Sequence, residues 1–578
     1  MWAAVSYFGT ASAANAALLW LQTNYVKQGP SSTILIYRFL QTWLLLLLFT
    51  ITLVIAIGPW IGYLLKRKTS SRKERILSWI EEQNIERNKV LDDAKTDNDW
   101  RGIIGFFHPF CNAGGGGERV LWAAIKATQD RYPNATCAVY TGDHDAAKAQ
   151  ILERVGDRFN IELDATRVFF LYLSQRRWVL ASTWPHVTLL GQSLGSLILA
   201  VDAFSLLVPD IFVDTMGYAF TFALAKWLFP DIPTGAYIHY PTISTDMLGS
   251  LDADENQGLN AGTGKGAKGA VKKAYWRLFA SLYGWVGGYA DVIVTNSSWT
   301  REHIQAIWGP ARKGKDKQTE VSVLFPPVAV EDLVKAISVD TESEEQRENI
   351  LVYIAQFRPE KNHTMLLQAF AELINGVSSD DPVAKSAKLV LIGSVRDDDD
   401  AKRVYELRLL AHELNIKEVV EFVCDASWPD ILHWLGKSSI GINGMWNEHF
   451  GIGVVEYQAA GLISVVNDSG GPKRDIVIEY DGGPTGFHAS TAKEYSQAFL
   501  KALKLSSEEK TAMRIRARSS AKRFSQAQFD RGWIDVAENL VKLTKHPIIN
   551  VEKQDNAVWL AGAAYLFFIV FEIWKILR

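Results

Sequence analysis

Between about Arg101 and Lys545 short apolar runs recur at intervals filled by helix-compatible sequence. GIIGFF (102–107), TCAVYTG (136–142), DIFVDTMG (210–217), GAYIHY (235–240) and DVIVTNS (291–297) form a first set. The rhythm restarts at NILVYIAQF (349–357), KLVLIGS (388–394), VVEFVC (419–424), SIGING (439–444) and LISVVN (462–467). Strands alternating with helices predict parallel sheets joined by right-handed crossovers. The expected fold class is therefore α/β, with two Rossmann-like domains at 67–325 and 349–545. A linker at 326–348 opens on Pro326-Pro327, continues as a helical stretch and runs into the charged VDTESEEQREN. Residues 249–270, rich in Gly, Ala, Asn and Lys and without periodicity, predict a mobile loop.

Longer apolar stretches change the class of the protein. LQTWLLLLLFTITLVIAIGPWIGYLL (40–65) carries no charge, and about 20 apolar residues suffice to cross a bilayer. It predicts a transmembrane helix, making 1–66 a membrane anchor. KRKTSSRK follows, with five basic residues in eight; short basic flanks stay cytosolic, which puts the body of the chain in the cytosol. Residues 1–26 are also uncharged and are a candidate second span, without the basic start of a signal peptide. Residues 189–208 fit either a buried core helix or a membrane-seeking one. Residues 557–571, within a membrane-associated segment at 546–578, are short for a span and fit a helix lying in the interface.

With 578 residues the chain exceeds one ordinary core. Its formal net charge is −3, from 61 basic and 64 acidic residues. No long-range field recruits nucleic acid, so an anion must be bound locally. Cys111, Cys137 and Cys424 are far apart and form no CxxC pair, against a disulfide framework and a zinc site and for a reducing compartment. The acidic run DDDD (397–400) opens a polar helix and is not expected to hold a metal. Sequons at Asn134, Asn296, Asn362 and Asn467 are inert on the cytosolic side.

Ligands of open parallel sheets bind at the carboxyl ends of strands, and two facing sheets make one cleft. The candidate chemistry lies there. NAGGGGERVLW follows the first strand, and Gly114, Gly115, Gly116 and Gly117 let backbone amides and the amino end of a helix approach a phosphate. It is neither GxxxxGK[ST] nor GxGxxG, which takes support from an ATPase and from a plain dehydrogenase. In AQFRPEKNH, Arg358 and Lys361 at the end of a second-half strand can neutralise a diphosphate without a metal. In NEHFGIGVVEYQAAG, a helix starting near Gly451 offers the amides around Phe450, Gly451 and Ile452. Glu448 in the loop and Glu456 one turn inside can accept hydrogen bonds from sugar and ribose hydroxyls.

This constellation resembles the retaining, nucleotide-sugar-dependent glycosyltransferases of the GT-B fold, two Rossmann-like domains facing a central cleft. NAGGGGERVLW, AYIHYPTIS, TNSSWT and NEHFGIGVVEYQAAG are similar, more narrowly, to the GDP-mannose-dependent α-1,2-mannosyltransferases of asparagine-linked glycosylation. The resemblance implies transfer of the fourth and fifth mannoses to a dolichol-diphosphate-linked oligosaccharide on the cytosolic face of the endoplasmic reticulum membrane. It implies GDP-mannose as donor, no metal or other cofactor, and the other mannosyltransferases of the pathway as candidate partners. Glu448 would contact the transferred mannose, Glu456 the ribose, and Arg358 with Lys361 the diphosphate. His239, in YIHYP, would stand beside the donor sugar, with a satisfied core histidine as its alternative, and Gly114 to Gly117 would line the cleft. A front-face displacement is implied, with Glu448 orienting and stabilising. Two alternatives stay open: a catalytically silent membrane scaffold of a mannosyltransferase complex, and a related transferase that uses a UDP-sugar.

Overall fold

The computed structural model describes Trp43 and residues 56–82, 100–251, 262–313, 320–376 and 382–545. The segments 1–26 and 557–571 lie outside the described residues, as does the span at 40–65 apart from Trp43 and residues 56–65. Residues 56–82 are one helix, α1, which carries the KRKTSSRK run. That run is docked on the first domain: Lys66 pairs with Asp231 at 2.7 Å and Lys73 with Asp210 at 2.5 Å. Gly62 permits the docking, because a Cβ there would lie 1.9 Å from the Leu228 carbonyl oxygen.

The first sheet contains β1 (Ile103–Phe107), β2 (Thr136–Thr141), β3 (Val168–Tyr172), β4 (Ile211–Asp214), β5 (Thr234–Ile238), β6 (Val292–Thr295) and β7 (Ser322–Val323). All pair in parallel, in the order β3-β2-β1-β4-β5-β6-β7. The second contains β8 (Glu348–Ile354), β9 (Lys388–Gly393), β10 (Val420–Cys424), β11 (Ser438–Asn443) and β12 (Ile463–Asn467). A small antiparallel pair, β13 (Glu479–Tyr480) and β14 (Gly483–Pro484), precedes its edge strand β15 (Gly486–Ala489). Its order, β10-β9-β8-β11-β12-β15, repeats that of the first sheet. In both, the order reverses at the sheet's own first strand, opening a crevice beyond the carboxyl ends of β1 and β4 and of β8 and β11.

Helix α2 (Gly116–Arg131) follows β1 and buries Val120, Leu121, Trp122 and Ile125. Helix α3 (Thr188–Leu206) is a core helix on one side, where Leu199, Ala200, Ala203 and Phe204 enter the core, whereas Leu194, Ile198 and Val201 are exposed. The proposed loop at 249–270 is corrected in part. Residues 252–261 lie outside the described residues, but Gly266 begins a helix of 22 residues, Gly266–Gly287, whose AKGAVKKA start is rich in the helix formers Ala and Lys.

The segment 326–348 is packed on the second domain. Val330 and Leu333 from its helix Val330–Ala336 join that core. Glu344, from the charged run, is buried against Arg514 at 2.5 Å, and Arg514 also donates to the Ser439 and Gly461 carbonyls at 2.8 Å. After helix α4 (Ile452–Ala460) and the second core are complete, the chain returns. Val328 and Ser525 form an isolated parallel bridge where it leaves and re-enters. The last described helix, α5 (Gln526–Lys545), then seats Phe529, Trp533 and Leu540 in the core of the first domain. The Trp533 indole donates to Thr128 Oγ1 of α2 at 2.9 Å. Replacing a buried tryptophan with alanine costs about 3–5 kcal/mol. Trp533→Ala should lower unfolding stability by that amount in denaturant titration of the detergent-solubilised protein; wild-type stability would show that α5 does not clamp the first domain.

Candidate active site

The first-domain wall grows from the ends of β1, β4 and β5. Gly114 has φ +78°. Four residues later Glu118 closes the start of α2 by accepting from the Gly115 amide at 2.5 Å. His108, at the end of β1, lies with Nε2 3.5 Å from Glu118 and Nδ1 2.7 Å from Thr215 Oγ1. His239 follows β5, its ring centroid 4.9 Å from that of Tyr237, and its Nε2 is buried without a hydrogen-bond partner. Burial, and then the nearby charge of His108, pull the imidazole down to about 4, with Glu118 opposing. It is therefore neutral at physiological pH. A Cβ on Gly117 would come within 3.6 Å of His239 Nε2, so the glycine keeps the approach to this orphan nitrogen open.

The second-domain wall grows from β8 and β11. The apolar strand β11 ends at Asn443, and residues 444–451 turn across the sheet edge before α4. Gly451 caps that helix at φ +104°, a left-handed conformation that a side chain would strain. The turn is held from beneath, where the Gly471 amide donates to the Glu448 carbonyl at 2.7 Å and the Asn447 amide to Ser469 Oγ at 2.7 Å. Glu448 receives Lys361 Nζ at 2.6 Å and Asn443 Nδ2 at 3.4 Å. Burial alone would raise its carboxyl, but the Lys361 ammonium and these hydrogen bonds hold it below the usual carboxylate range. Glu456 has no such partner at hydrogen-bond distance. Burial pushes it up to about 7, with Arg119 of α2 opposing across the cleft.

The remaining expected residues divide. Ile452 meets the first domain: a Cβ on Gly116 would lie 2.5 Å from Ile452 Cδ1, so the glycine run is also the place where the two walls touch. The Phe450 side chain is buried, 5.8 Å from Phe325 and 5.4 Å from Phe524 between ring centroids, which leaves only its backbone to the cleft. Arg358 stands apart from the Lys361–Glu448 pair. It is 3.8 Å from Glu360 and lines a small cavity with His363 and Arg403.

Several groups that join the walls are missing from the sequence-derived set. Asn447 donates to Asp246 at 2.8 Å, and Asp246 also receives Trp299 Nε1 at 3.2 Å and lies 3.4 Å from His303. His449 stacks on Tyr240 at 5.1 Å and leans on Trp299 at 5.4 Å. Asp475 accepts from the Ser298 amide at 2.8 Å, and Arg474 pairs with Glu302 at 2.6 Å. The motif TNSSWT was the available signal, since Ser298 and Trp299 lie in this seam. The acidic run 397–400 serves its helix, with Asp397 accepting from the Asp400 amide at 2.9 Å and Asp400 pairing with Arg396 at 2.8 Å. Among the described residues no group of three or more His, Cys, Asp or Glu is placed to hold a metal.

Two parallel sheets of Rossmann order, a cleft between their carboxyl edges and a last helix returning to the first domain define a GT-B glycosyltransferase. Residues 334–520 match the family "Glycosyl transferases group 1", and residues 101–308 match "ALG11 mannosyltransferase N-terminus". Among solved structures, the trehalose-6-phosphate phosphatase N-terminal domain of Candida albicans is similar with a TM-score of 0.55 at 11% identity, covering 78% of this chain and 99% of that one. An α,α-trehalose 6-phosphate synthase from Burkholderia multivorans gives 0.54 at 13% identity, covering 77% and 99%. These likenesses concern the fold alone. The GDP-Man:Man(3)GlcNAc(2)-PP-Dol alpha-1,2-mannosyltransferase of Neurospora crassa is 58% identical over 84% of this chain and 93% of its own. Its Homo sapiens counterpart is 42% identical over 81% and 93%. The chain belongs to this mannosyltransferase family.

The raised Glu456 carboxyl has a consequence for stability. Between its ordinary value of 4.5 and about 7 the folded protein holds a proton that the unfolded chain has released, so folding is progressively penalised as pH rises through that window. Glu456→Gln should therefore melt above wild type at pH 8 and level with it at pH 4.5. Equal melting temperatures of the two proteins across the range would show that the carboxyl is not perturbed.

Proposed function

We propose that the protein transfers mannose with retention from GDP-mannose to a dolichol-diphosphate-linked Man3GlcNAc2, adding the fourth and fifth mannoses in α-1,2 linkage. The observation that carries this reading is the Lys361–Glu448 pair at the mouth of α4, opposite the neutral His239, whose Nε2 has no partner. Lys361 takes up charge on the departing diphosphate, with the amino end of α4 and the glycine run adding dipoles. Glu456, one turn into α4, accepts from or donates to the ribose according to its protonation. Glu448, already engaged by Lys361 and Asn443, orients mannose hydroxyls, and the departing diphosphate itself takes the proton of the acceptor hydroxyl on the same face. His239 hydrogen-bonds the donor sugar through Nε2. This chemistry is proposed to need no metal, because the ammonium and helix amides supply the neutralising charge. The silent-scaffold alternative is disfavoured by the presence of Lys361, Glu448 and Glu456 together, and the UDP-sugar alternative by relatives named for GDP-mannose.

Mass spectrometry of lipid-linked trimannosyl chitobiose diphosphate, incubated with the purified protein, GDP-mannose and EDTA, should show a gain of two hexoses removable by an α-1,2-specific mannosidase. Glu448→Ala should lower kcat/KM by about 10²–10³, the usual effect of losing one stabilising group at the reacting centre. No gain with GDP-mannose but a gain with a UDP-sugar would replace the donor assignment. No gain with any donor, from folded protein, would favour the scaffold.

We further propose that the cleft is held against the cytosolic face of the endoplasmic reticulum membrane by the anchor and by the exposed stripe Leu194, Ile198 and Val201 of α3, spaced for one helical face. Full-length protein in liposomes with a photoreactive phospholipid should be labelled within 188–206, and Ile198→Asp with Val201→Asp should remove that label. Undiminished labelling in the double variant would overturn the contact.

A further inference from the structure

A cavity of about 110 Å³ lies between the turn after β8 and the helix Asp398–Glu413. Its polar lining is Arg358, Asn362, His363, Thr364, Arg403 and Glu406; neither Lys361 nor Glu448 belongs to it. His363 is 3% exposed, and both of its ring nitrogens are buried without a hydrogen-bond partner. Its ring packs against Tyr353 and Phe357, with centroids 4.9 and 5.1 Å away, so neither nitrogen is free to swing to solvent. Arg403 Nε is orphaned in the same way. Arg358 has Glu360 at 3.8 Å and Glu406 has Lys402 at 3.9 Å, both beyond hydrogen-bond reach, so Glu406 is one opposing charge in the lining against two guanidiniums.

Buried polar atoms in native proteins find partners, and the chemistry of these orphans narrows what the partner is. Guanidinium groups only donate, and a neutral imidazole donates from one nitrogen. Burial, with Lys361 and Arg403 nearby, pulls His363 down to about 3, so it is neutral and able to accept a proton when negative charge arrives. His363 also opens the helix His363–Gly376, whose first amides point toward the same end. Two guanidiniums, an imidazole, the Thr364 hydroxyl and a helix start make a set of donors converging on a space that holds one tetrahedral oxyanion and is too small for a nucleotide or a sugar.

We propose that this cavity is a phosphate-binding site, separate from the place of Lys361. It takes a phosphate group either from solution or from a phosphorylated ligand. Because Arg358 and Lys361 bracket one short turn, Pro359–Lys361, occupancy also fixes the backbone that carries Lys361.

The test is a titration of inorganic phosphate into the full-length, detergent-purified protein at constant ionic strength, following the melting temperature. A saturable rise is expected for wild type and for Arg408→Gln, a control on the same helix outside the cavity. Arg403→Gln should weaken the apparent affinity at least tenfold. His363→Phe, which keeps the ring packing and removes both nitrogens, should do the same and covers the case in which Arg403→Gln does not fold. In the presence of saturating GDP, an additive phosphate effect identifies phosphate from solution as the occupant, and an Arg403-dependent effect that GDP abolishes identifies a phosphate of the nucleotide. No saturable rise in wild type, or a rise unchanged in Arg403→Gln and His363→Phe, would overturn the proposal.

Discussion

Trp533 sits in the core of a domain that the chain left some two hundred residues earlier, and the cleft depends on that return. Two Rossmann-like sheets each satisfy their own backbone and bury their own apolar faces, so nothing inside either domain dictates how they face one another. The seating of Phe529, Trp533 and Leu540 against α2 and the first sheet removes that freedom. Helix α2 then presents both the glycine run and Arg119 to the second domain, and the seam at Asp246, Trp299 and His449 completes the register. Hydrophobic burial sets the relative position of the domains, and the polar seam sharpens it.

Within the cleft the constraint is electrostatic. A low-dielectric space holding Glu448, Glu456, Lys361, Arg119 and three histidines tolerates charge only where it is paired. Glu448 is paired and stays ionised, Glu456 lacks a close partner and is driven toward its neutral form, and His239 remains neutral with one nitrogen unspent. Two carboxyls eight residues apart thus acquire different protonation states from their surroundings alone. The neutral imidazole and the ionised glutamate offer complementary hydrogen-bonding roles to a sugar placed between them.

Much of the architecture was legible because a strand buried on both faces reads as a continuous apolar run. All ten such runs became strands. Of the strands that escaped, β7, β13 and β14 are two residues long and β15 is a four-residue edge containing Gly486 and His488, whereas β3 carries the apolar run VFFLY at a partly exposed sheet edge. The glycine run, Lys361, Glu448 and Glu456 were legible from their places at strand ends. At Phe450 the expectation concerned the backbone amides at the start of α4, and the burial of the ring does not bear on it. That Lys361 engages Glu448 whereas Arg358 lines the cavity with His363 and Arg403 was hidden, since their spacing suits one turn and records nothing of their separate neighbours. Asp246, Tyr240 and His449 acquire meaning only when two domains meet, and no single stretch records a contact between stretches two hundred residues apart.

The chain passes between the domains twice, once near Val328 and once near Ser525, and the two passages meet at a single bridge, where the Val328 amide donates to the Phe524 carbonyl at 2.9 Å. A body joined to another by a single connection can swivel, tilt and twist, whereas two connections pinned to each other at one point lose part of that freedom. Any rotation that parts the domains about this bridge would have to separate Ile452 from Gly116 and His449 from Tyr240 together, so the two contacts across the cleft answer to one movement.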